Sequence, residues 1–320
     1  MNNKSVLLTG ATGFLGGSIL RAILKSETFN RVSVAVRSST NLWPSNVDLI
    51  NVGDQTPSTD WSTALVSISC VIHCAARVHV MQEAATDPLA EFRRVNVQGT
   101  LNLAQQAAQA GVRRFIFVSS IKVNGESTQL GSPFHADDDP APQDAYGVSK
   151  MEAEQGSRAL AAETGMEVVI IRPPLVYGSG VKANFAAMMR WLSRGIPLPF
   201  GAIHNKRSFV ALDNLVDLIL TCLTHPAAAN QIFLVSDGED VSTTELLSRI
   251  GQAMGKPAHL VPVPAGLIKF VANILGKGDV AQRLCGSLQV DIEKTRRLLG
   301  WNPPLTLNEG LKKAADGFKT

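Results

Sequence analysis

The stretch KSVLLTGATGFLGGSILRAILKS, residues 4–26, decides the fold class that we predict for this chain. A short apolar run is followed by apolar positions of helical period, and Gly10, Gly13 and Gly16 lie where the two patterns meet. Gly10 permits a tight turn, Gly13 lets a pyrophosphate approach the backbone, and Gly16 lets the helix pack closely on the strand. The start of the helix offers free N–H groups to phosphates. The stretch therefore predicts the strand, turn and helix that open a dinucleotide-binding fold.

Further apolar runs along the chain alternate with helical segments, which indicates an α/β fold with a doubly wound parallel sheet of the Rossmann type. We predict a dinucleotide-binding domain from residues 1–174, which a segment near 208–236 rejoins. A smaller and mostly C-terminal substrate domain would comprise about 175–207 and 237–320. The predicted strands after the first are 31–37, 49–54, 70–76, 113–125 and 166–178.

Composition limits the functions that this chain can have. With 320 residues, 45% of them hydrophobic, the chain can bury a full core and is too apolar to be disordered. The net charge is +3 without long runs of like charge, so we expect no nucleic-acid partner. Four scattered cysteines indicate reduced core residues and a cytoplasmic protein. The apolar stretch 266–276 is too short to span a bilayer, so we expect no stable membrane insertion.

Candidate ligand-binding residues fall at the carboxyl ends of the predicted strands, where ligands bind in such sheets. Arg37 ends the second strand, at the place where an acidic residue would bind the NAD ribose and an arginine suits the 2′-phosphate of NADP. We therefore favour NADP(H), with NAD(H) possible. Ala75–Ala76 and Ser119–Ser120 end two further strands. Their convergence on one edge predicts a single site.

The stretch DAYGVSK, residues 144–150, places Tyr146 four residues before Lys150 in a chain with only two tyrosines. On a helix these two side chains share one face. An ammonium beside a phenol lowers the pKa of the phenol, so Tyr146 is a candidate for moving protons near neutral pH.

Together, GATGFLG (10–16), the serine pair 119–120 and YGVSK (146–150) resemble the extended short-chain dehydrogenase/reductase family. More narrowly, the chain resembles the NAD(P)-dependent nucleotide-sugar epimerases, dehydratases and reductases of that family. RSFVALDNLVDLI (207–219) and LLGWNPPLTLNEGL (298–311) are similar to segments of this sugar-nucleotide branch, so the likeness covers essentially the whole chain. Its pattern is closest to 4-ketoreductases that form UDP-N-acetylquinovosamine and to UDP-glucose 4-epimerase-like proteins.

The resemblance implies a role for each matching position. Ser120 would hold the reacting oxygen, Tyr146 would be the acid/base, and Lys150 would activate Tyr146 and bind the cofactor ribose. The substrate, a UDP-sugar, would be bound by Ser120, Asn184, Arg207 and Arg283. The family also implies a homodimer. The implied cofactor-binding residues are Gly10, Thr12, Gly13, Phe14, Leu15, Gly16, Arg37, Asp54, Ala75, Ala76, Asn96, Tyr146, Lys150 and Pro173.

The reaction is narrowed by departures from the patterns of the family. The dehydratases carry an Asp-Glu pair where this chain has Ile121 and Lys122, which argues against elimination. Arg37 and Leu175 replace residues usual in 4-epimerases. We therefore expect reduction of UDP-4-keto-6-deoxy-N-acetylglucosamine to UDP-N-acetylquinovosamine, for surface polysaccharide. The alternative is a UDP-hexose or UDP-N-acetylhexosamine 4-epimerase with tightly bound NAD, and a minor alternative is a non-catalytic NADP-binding regulator.

Overall fold

The structure is a computed structural model that describes residues 4–26, 28–38, 43–78, 87–181 and 183–319. A parallel sheet of seven strands, in the order β3-β2-β1-β4-β5-β6-β9, forms the centre of this part of the chain. Its strands are β1 Ser5–Thr9, β2 Arg31–Val36, β3 Asp48–Asn51, β4 Cys70–His73, β5 Arg114–Val118, β6 Glu167–Arg172 and β9 Ile232–Leu234. Three further strands form a second sheet in the order β10-β8-β7, namely β7 Leu175–Tyr177, β8 Arg207–Ala211 and β10 Asp240–Val241.

Helices cover both faces of the main sheet, because successive side chains of a strand point to opposite faces. Leu8 of β1 lies in a core with helices α1 and α6, while Leu7 lies in another core with α3 and α4. The prediction of a doubly wound parallel sheet is confirmed. The helices are α1 Phe14–Ser26, α2 Pro88–Phe92, α3 Thr100–Gln109, α4 Ala145–Thr164, α5 Ala183–Ser193, α6 Leu212–Thr224, α7 Thr243–Ala253, α8 Ala265–Ile274, α9 Gly278–Cys285, α10 Glu293–Leu299 and α11 Leu307–Lys319.

Shorter helical turns complete the chain. A π-helical segment, Arg93–Gly99, joins α2 to α3 without a break, and 3₁₀ turns span Ile121–Val123 and Pro226–Ala228. The third strand is shorter than predicted and ends at Asn51. Gly53 follows with a φ of +68°, a left-handed conformation that does not continue a strand and places Asp54 in a turn.

The second sheet packs with α5, α7 and α11 around a core of its own. The predicted returning segment contributes to both sheets: β8 pairs with β7 and β10, whereas β9 pairs with β6 at the edge of the main sheet. Helix α6, which lies between β8 and β9, packs against α1. The domain boundaries themselves stay a prediction.

A buried ion pair fixes helix α4 to the main sheet. Glu154, on α4, receives two hydrogen bonds from the Arg172 guanidinium at the end of β6, at 2.6 and 3.0 Å. Both side chains are at most 3% exposed. Ser119 also donates a hydrogen bond to Glu154, and Arg172 donates another to Asn124 at 3.0 Å. This cluster joins α4 to the segments that follow β5 and β6.

We expect the Glu154→Gln variant to be less stable than the parent protein by about 3–5 kcal/mol, because it leaves the Arg172 charge buried and unpaired. The control is Glu152→Gln, two residues earlier on the same helix, which breaks a partly exposed pair with Arg93. That change is expected to cost about 1 kcal/mol or less. Urea unfolding of the three proteins measures both values, and equal losses in the two variants would contradict the prediction.

Candidate active site

The glycine turn between β1 and α1 brings backbone against backbone. Gly10 has a φ of +75°, and a Cβ atom on it would lie 2.8 Å from the Ala75 nitrogen. A Cβ on Gly16 would overlap the carbonyl oxygen of Gly10. The Gly13 nitrogen donates to that same carbonyl at 2.9 Å, which closes the turn. A side chain at Gly10 would therefore separate the turn from the end of β4, and one at Gly16 would separate the start of α1 from the turn.

A cleft of about 680 Å³ opens above this turn. Its volume lies in the range of about 300–1,000 Å³ that is typical of cofactor sites, and its walls are the glycine turn and the ends of β2, β3 and β4. The glycine cradle and the size of the cleft fit a dinucleotide. Ten of the predicted cofactor-binding residues line it, namely Gly10, Thr12, Gly13, Phe14, Leu15, Gly16, Arg37, Asp54, Ala75 and Ala76.

Arg37 and Asp54 stand at the rim of the cleft. Both side chains are 80% exposed, and the guanidinium is 4.0 Å from the carboxylate. An ion pair this exposed is weak, so Arg37 is free to turn toward a ligand. The structure places no acidic side chain immediately after β2, where Arg37 and Ser38 follow Val36.

His73 lies beneath the cleft and is fully buried. One ring nitrogen is 2.8 Å from the Thr9 hydroxyl and the other is 3.1 Å from the Gln55 amide. Burial and, secondarily, the charge of Lys150 lower the pKa of His73 to about 3. The imidazole is therefore neutral at physiological pH and holds the floor of the cleft by hydrogen bonds. The sequence does not indicate a function for Thr9 or Gln55, because a single polar residue near the end of a strand is not part of a recognisable motif.

Asn96 lies in the π-helical segment, a form of helix that is frequent at functional sites. Its side chain is 1% exposed. Its amide accepts from the Arg77 nitrogen at 2.8 Å and donates to the Arg77 carbonyl and the Ser149 hydroxyl, both at 3.0 Å. Asn96 thus joins the loop after β4 to helix α4. We propose that it serves the cofactor by holding that loop.

Tyr146 and Lys150 lie one helical turn apart on α4, as the spacing predicts. The Lys150 ammonium is 6.0 Å from the centre of the Tyr146 ring and donates a hydrogen bond of 2.9 Å to the Val118 carbonyl. It also lies 4.5 Å above the ring of Phe117. The helix therefore aims Lys150 at the end of β5, while the ring of Tyr146 lies 6.0 Å from that of Phe92 on α2.

The expectation of a lowered pKa at Tyr146 is wrong for this structure. Burial and, secondarily, the charge of Asp144 raise the pKa of Tyr146 to about 12. Burial also lowers the pKa of Lys150 to about 8, against the opposing influence of Cys74 and Glu154. Desolvation disfavours the charged form of each group, and at these positions it outweighs their mutual effect.

Ser120 caps the 3₁₀ turn that follows β5, and its hydroxyl accepts from the Lys122 nitrogen at 3.3 Å. The Lys122 ammonium bridges Glu126 at 2.7 Å and Asp144 at 2.5 Å. Asp144, two residues before Tyr146, in turn caps α4 by accepting a hydrogen bond from the Gly147 nitrogen. Lys122 therefore ties the serine loop to the start of the tyrosine helix. Pro173 is buried beside this loop and accepts a hydrogen bond from Ile121.

The predicted substrate residues lie toward the second sheet. Arg207, at the start of β8, is half-buried and donates to the Gly286 carbonyl at 3.0 Å. Burial lowers the pKa of Arg207, and the neighbouring charge of Arg283, on α9, lowers it further against the influence of Glu126. A second cavity of about 540 Å³ opens in this region between the loop at His204, Ser287 and the start of α8. The side chain of Asn184 lies outside the described residues.

Comparisons with known proteins agree with this geometry. The model of the NAD dependent epimerase/dehydratase family matches residues 6–236. The chain is 53% identical to a Vibrio cholerae protein named UDP-glucose 4-epimerase, over 98% of this chain and 95% of that protein. It is 26% identical, over 97% and 94% of the two chains, to the Escherichia coli O157:H7 N-acetyl-α-D-glucosaminyl-diphospho-ditrans,octacis-undecaprenol 4-epimerase. A crystal structure of a Bacillus cereus UDP-glucuronic acid 4-epimerase in complex with NAD has a TM-score of 0.78 at 21% identity, with 98% of both chains covered.

The lowered pKa of Lys150 predicts a contribution to stability that rises with pH. Between about pH 8 and 10 the folded protein binds fewer protons at Lys150 than the unfolded chain does, so Lys150 by itself should raise the free energy of unfolding by about 2 kcal/mol. The raised pKa values of the buried Cys74 and Cys222 act in the opposite direction over this interval, and that of Tyr146 does so above about pH 10. Urea unfolding of the cofactor-free parent and Lys150→Met isolates the lysine, because the stability of the parent relative to this variant should rise by about 2 kcal/mol between about pH 8 and 10. Lys312→Met, which removes an exposed lysine, should follow the parent.

Proposed function

The chain belongs to the NAD dependent epimerase/dehydratase family, and on that premise we propose that it is a UDP-sugar 4-epimerase that works with NAD. The proposal is carried by one observation. The chain is 53% identical over nearly its whole length to a protein named UDP-glucose 4-epimerase. A cleft of dinucleotide size and the candidate residues Ser120, Tyr146 and Lys150 support the same function. We further propose that it acts in the cytoplasm, where its four free cysteines stay reduced, and as a homodimer.

The comparisons support epimerisation better than the reduction that sequence analysis favours. Reduction is favoured by Arg37 and Leu175, two single positions that differ from the usual 4-epimerase pattern. An epimerase returns the hydride to its substrate and keeps its cofactor, so it needs no exchange of NADPH in each turnover. The 4-ketoreductase is therefore the outcome against which the epimerase must be tested.

The residues present suffice for moving a proton at the C4 hydroxyl of a sugar. Bound NAD supplies a hydride acceptor at C4 and a positively charged nicotinamide ring. Tyr146 removes the proton of the C4 hydroxyl and returns it after the ketosugar has rotated. Ser120 donates a hydrogen bond to the same oxygen and stabilises the negative charge that develops on it. Arg207 and Arg283 bind the diphosphate, because a guanidinium fork matches phosphate oxygens.

Tyr146 must be made more acidic before it can accept a proton near neutral pH, since burial and the charge of Asp144 raise its pKa to about 12. Lys150 is the cation that the protein itself places one turn away. A positive charge near the phenol favours the phenolate. The buried Glu154, one further turn along α4, helps Lys150 to keep its proton against the cost of burial.

A sugar diphosphate carried on a polyprenol is a second candidate substrate. The observation that favours it is an apolar and exposed face of α8, whose first residue, Ala265, lines the cavity near Arg207. The E. coli relative carries such a substrate in its name. The two candidates share the diphosphate and the C4 chemistry, and differ in the group beyond the diphosphate.

We expect the purified protein, with NAD, to interconvert UDP-glucose and UDP-galactose or the two N-acetylated analogues. Chromatography should show the same equilibrium mixture from either side, without net change in absorbance at 340 nm. Polyprenyl-diphosphate-linked N-acetylglucosamine, offered in the same assay, tests the second candidate. Stoichiometric oxidation of NADPH by UDP-4-keto-6-deoxy-N-acetylglucosamine, without epimerisation of any substrate, would overturn the epimerase proposal.

The Tyr146→Phe variant should lose about 1,000-fold or more in turnover, while its affinity for NAD stays within about threefold. The matched control is Tyr177→Phe at the other tyrosine of the chain, whose buried hydroxyl bonds Asp237 at 2.6 Å. That change should lower stability and leave turnover of the folded protein within about tenfold. Comparable turnover in the two variants would remove Tyr146 from the mechanism.

The preference for NADP over NAD that the sequence predicts depends on Arg37, and it is tested apart from the NAD-dependent epimerase. We expect the Arg37→Asp variant to bind NADP at least tenfold more weakly, because a carboxylate repels the 2′-phosphate, while NAD binding is unchanged or stronger. Titration of each dinucleotide against parent and variant measures this. Equal affinities of the parent and the variant for NADP would show that Arg37 does not contact the ribose.

A further inference from the structure

Helix α8 presents an apolar stripe to solvent. Seven of the twelve large hydrophobic side chains that are exposed among the described residues lie between 261 and 280. Five of them recur at intervals of three and four residues, so they share one face of the helix and its C-cap. We call these five the α8 stripe; they are Leu267, Phe270, Val271, Ile274 and Leu275. Phe270, Ile274 and Leu275 are each more than 60% exposed.

The exposure of the stripe follows from how α8 is attached to the protein. The helix packs against α9, and Ala265 and Ile268 contact the core of the second sheet. None of its residues is fully buried. The inward face is therefore made of the half-buried Ala265, Ile268, Lys269 and Ala272, while the five side chains of the stripe point outward. A contiguous apolar face of this kind marks an interaction surface.

The charges around the stripe favour an anionic partner. Residues 261–287 contain Lys269, Lys277 and Arg283 and a single acidic residue, Asp279. Lys277 directly follows the stripe, whereas Lys269 is half-buried on the inward face of α8 near Cys285. Two copies of the chain meeting through the stripe would bring the two Lys277 side chains together, and like charges repel. An anionic surface would attract Lys277. A short amphipathic helix with aromatic and aliphatic residues on one side can bind in the plane of a membrane interface.

We propose that the α8 stripe docks the protein on the surface of a bilayer that contains anionic phospholipid. In the described part of the chain no helix is long and apolar enough to cross a membrane, and α8 would lie along the interface instead. Pro264 and Ala265, at the start of α8, also line the second cavity. Docking therefore places the mouth of that cavity beside the lipid. The proposal does not depend on which diphosphosugar the site accepts.

The test is sedimentation of the full-length protein with vesicles, in the absence of any sugar substrate. We expect binding to vesicles of phosphatidylglycerol and phosphatidylethanolamine, weaker binding to pure phosphatidylcholine, and a loss of affinity as salt is raised. The Phe270→Ser/Ile274→Ser variant should bind at least tenfold more weakly. Lys277→Gln should weaken binding to the anionic vesicles about fivefold.

The matched control is Val66→Ser, which removes a 57% exposed apolar side chain from the turn before β4, the middle strand of the main sheet. It should bind vesicles like the parent. Turnover of a water-soluble UDP-sugar should be unchanged in the Phe270→Ser/Ile274→Ser variant, so failure of docking and failure of the epimerase proposal are distinguishable. Absence of vesicle binding by the parent would overturn the proposal. So would a dimer, seen by sedimentation velocity, that dissociates when Ile274 is replaced by serine.

Discussion

The site depends on the buried pair of Glu154 and Arg172, because this pair fixes the helix that carries Tyr146 and Lys150. Glu154 lies one turn beyond Lys150 on α4, and Arg172 ends the strand beside the one that leads to Ser120. Two buried charges are costly unless they meet with good geometry and further hydrogen bonds. Here Ser119 and Asn124 supply those bonds. The pair thereby holds α4 against the sheet, in the position in which Lys150 contacts the end of β5.

Burial also determines the protonation states of Tyr146 and Lys150. Burial holds Tyr146 protonated and brings Lys150 close to losing its proton. The positively charged nicotinamide ring of NAD, if bound in the cleft, would lower the pKa of Tyr146, because a positive charge favours the phenolate. The protein therefore presents an acid/base pair whose working state depends on what binds beside it. The His73 floor does not take part, since its hydrogen bonds and lowered pKa keep it neutral.

The two ends of the molecule divide the work of recognition. The glycine turn and the ends of β2, β3 and β4 form a cleft for a dinucleotide. Arg207, Arg283 and the start of α8 lie at the second sheet, where a diphosphate and the group attached to it would be bound. The exposed stripe of α8 continues from that cavity to the surface. A diphosphosugar enzyme with this layout can meet its substrate in solution or at a lipid surface, and its sugar chemistry is the same in both cases.

The sequence by itself determined the alternation of strands and helices, the glycine turn, and the placing of Tyr146 and Lys150 on one helical face. These follow from periodicity and from local backbone sterics, which act over a few residues. Only the tertiary structure decided the pKa directions at Tyr146 and Lys150, because burial depends on chain segments far apart in sequence. It also decided that Asn96 bonds to Arg77 and Ser149, that Lys122 bridges Glu126 and Asp144, and that Arg37 stays exposed at the rim of the cleft. The apolar pattern of residues 266–276 predicts a buried or amphipathic helix, and only packing determines which face meets the core. On α8, Ala265 and Ile268 meet the core of the second sheet and the stripe faces solvent, because the contacts that orient the helix come from segments distant in sequence.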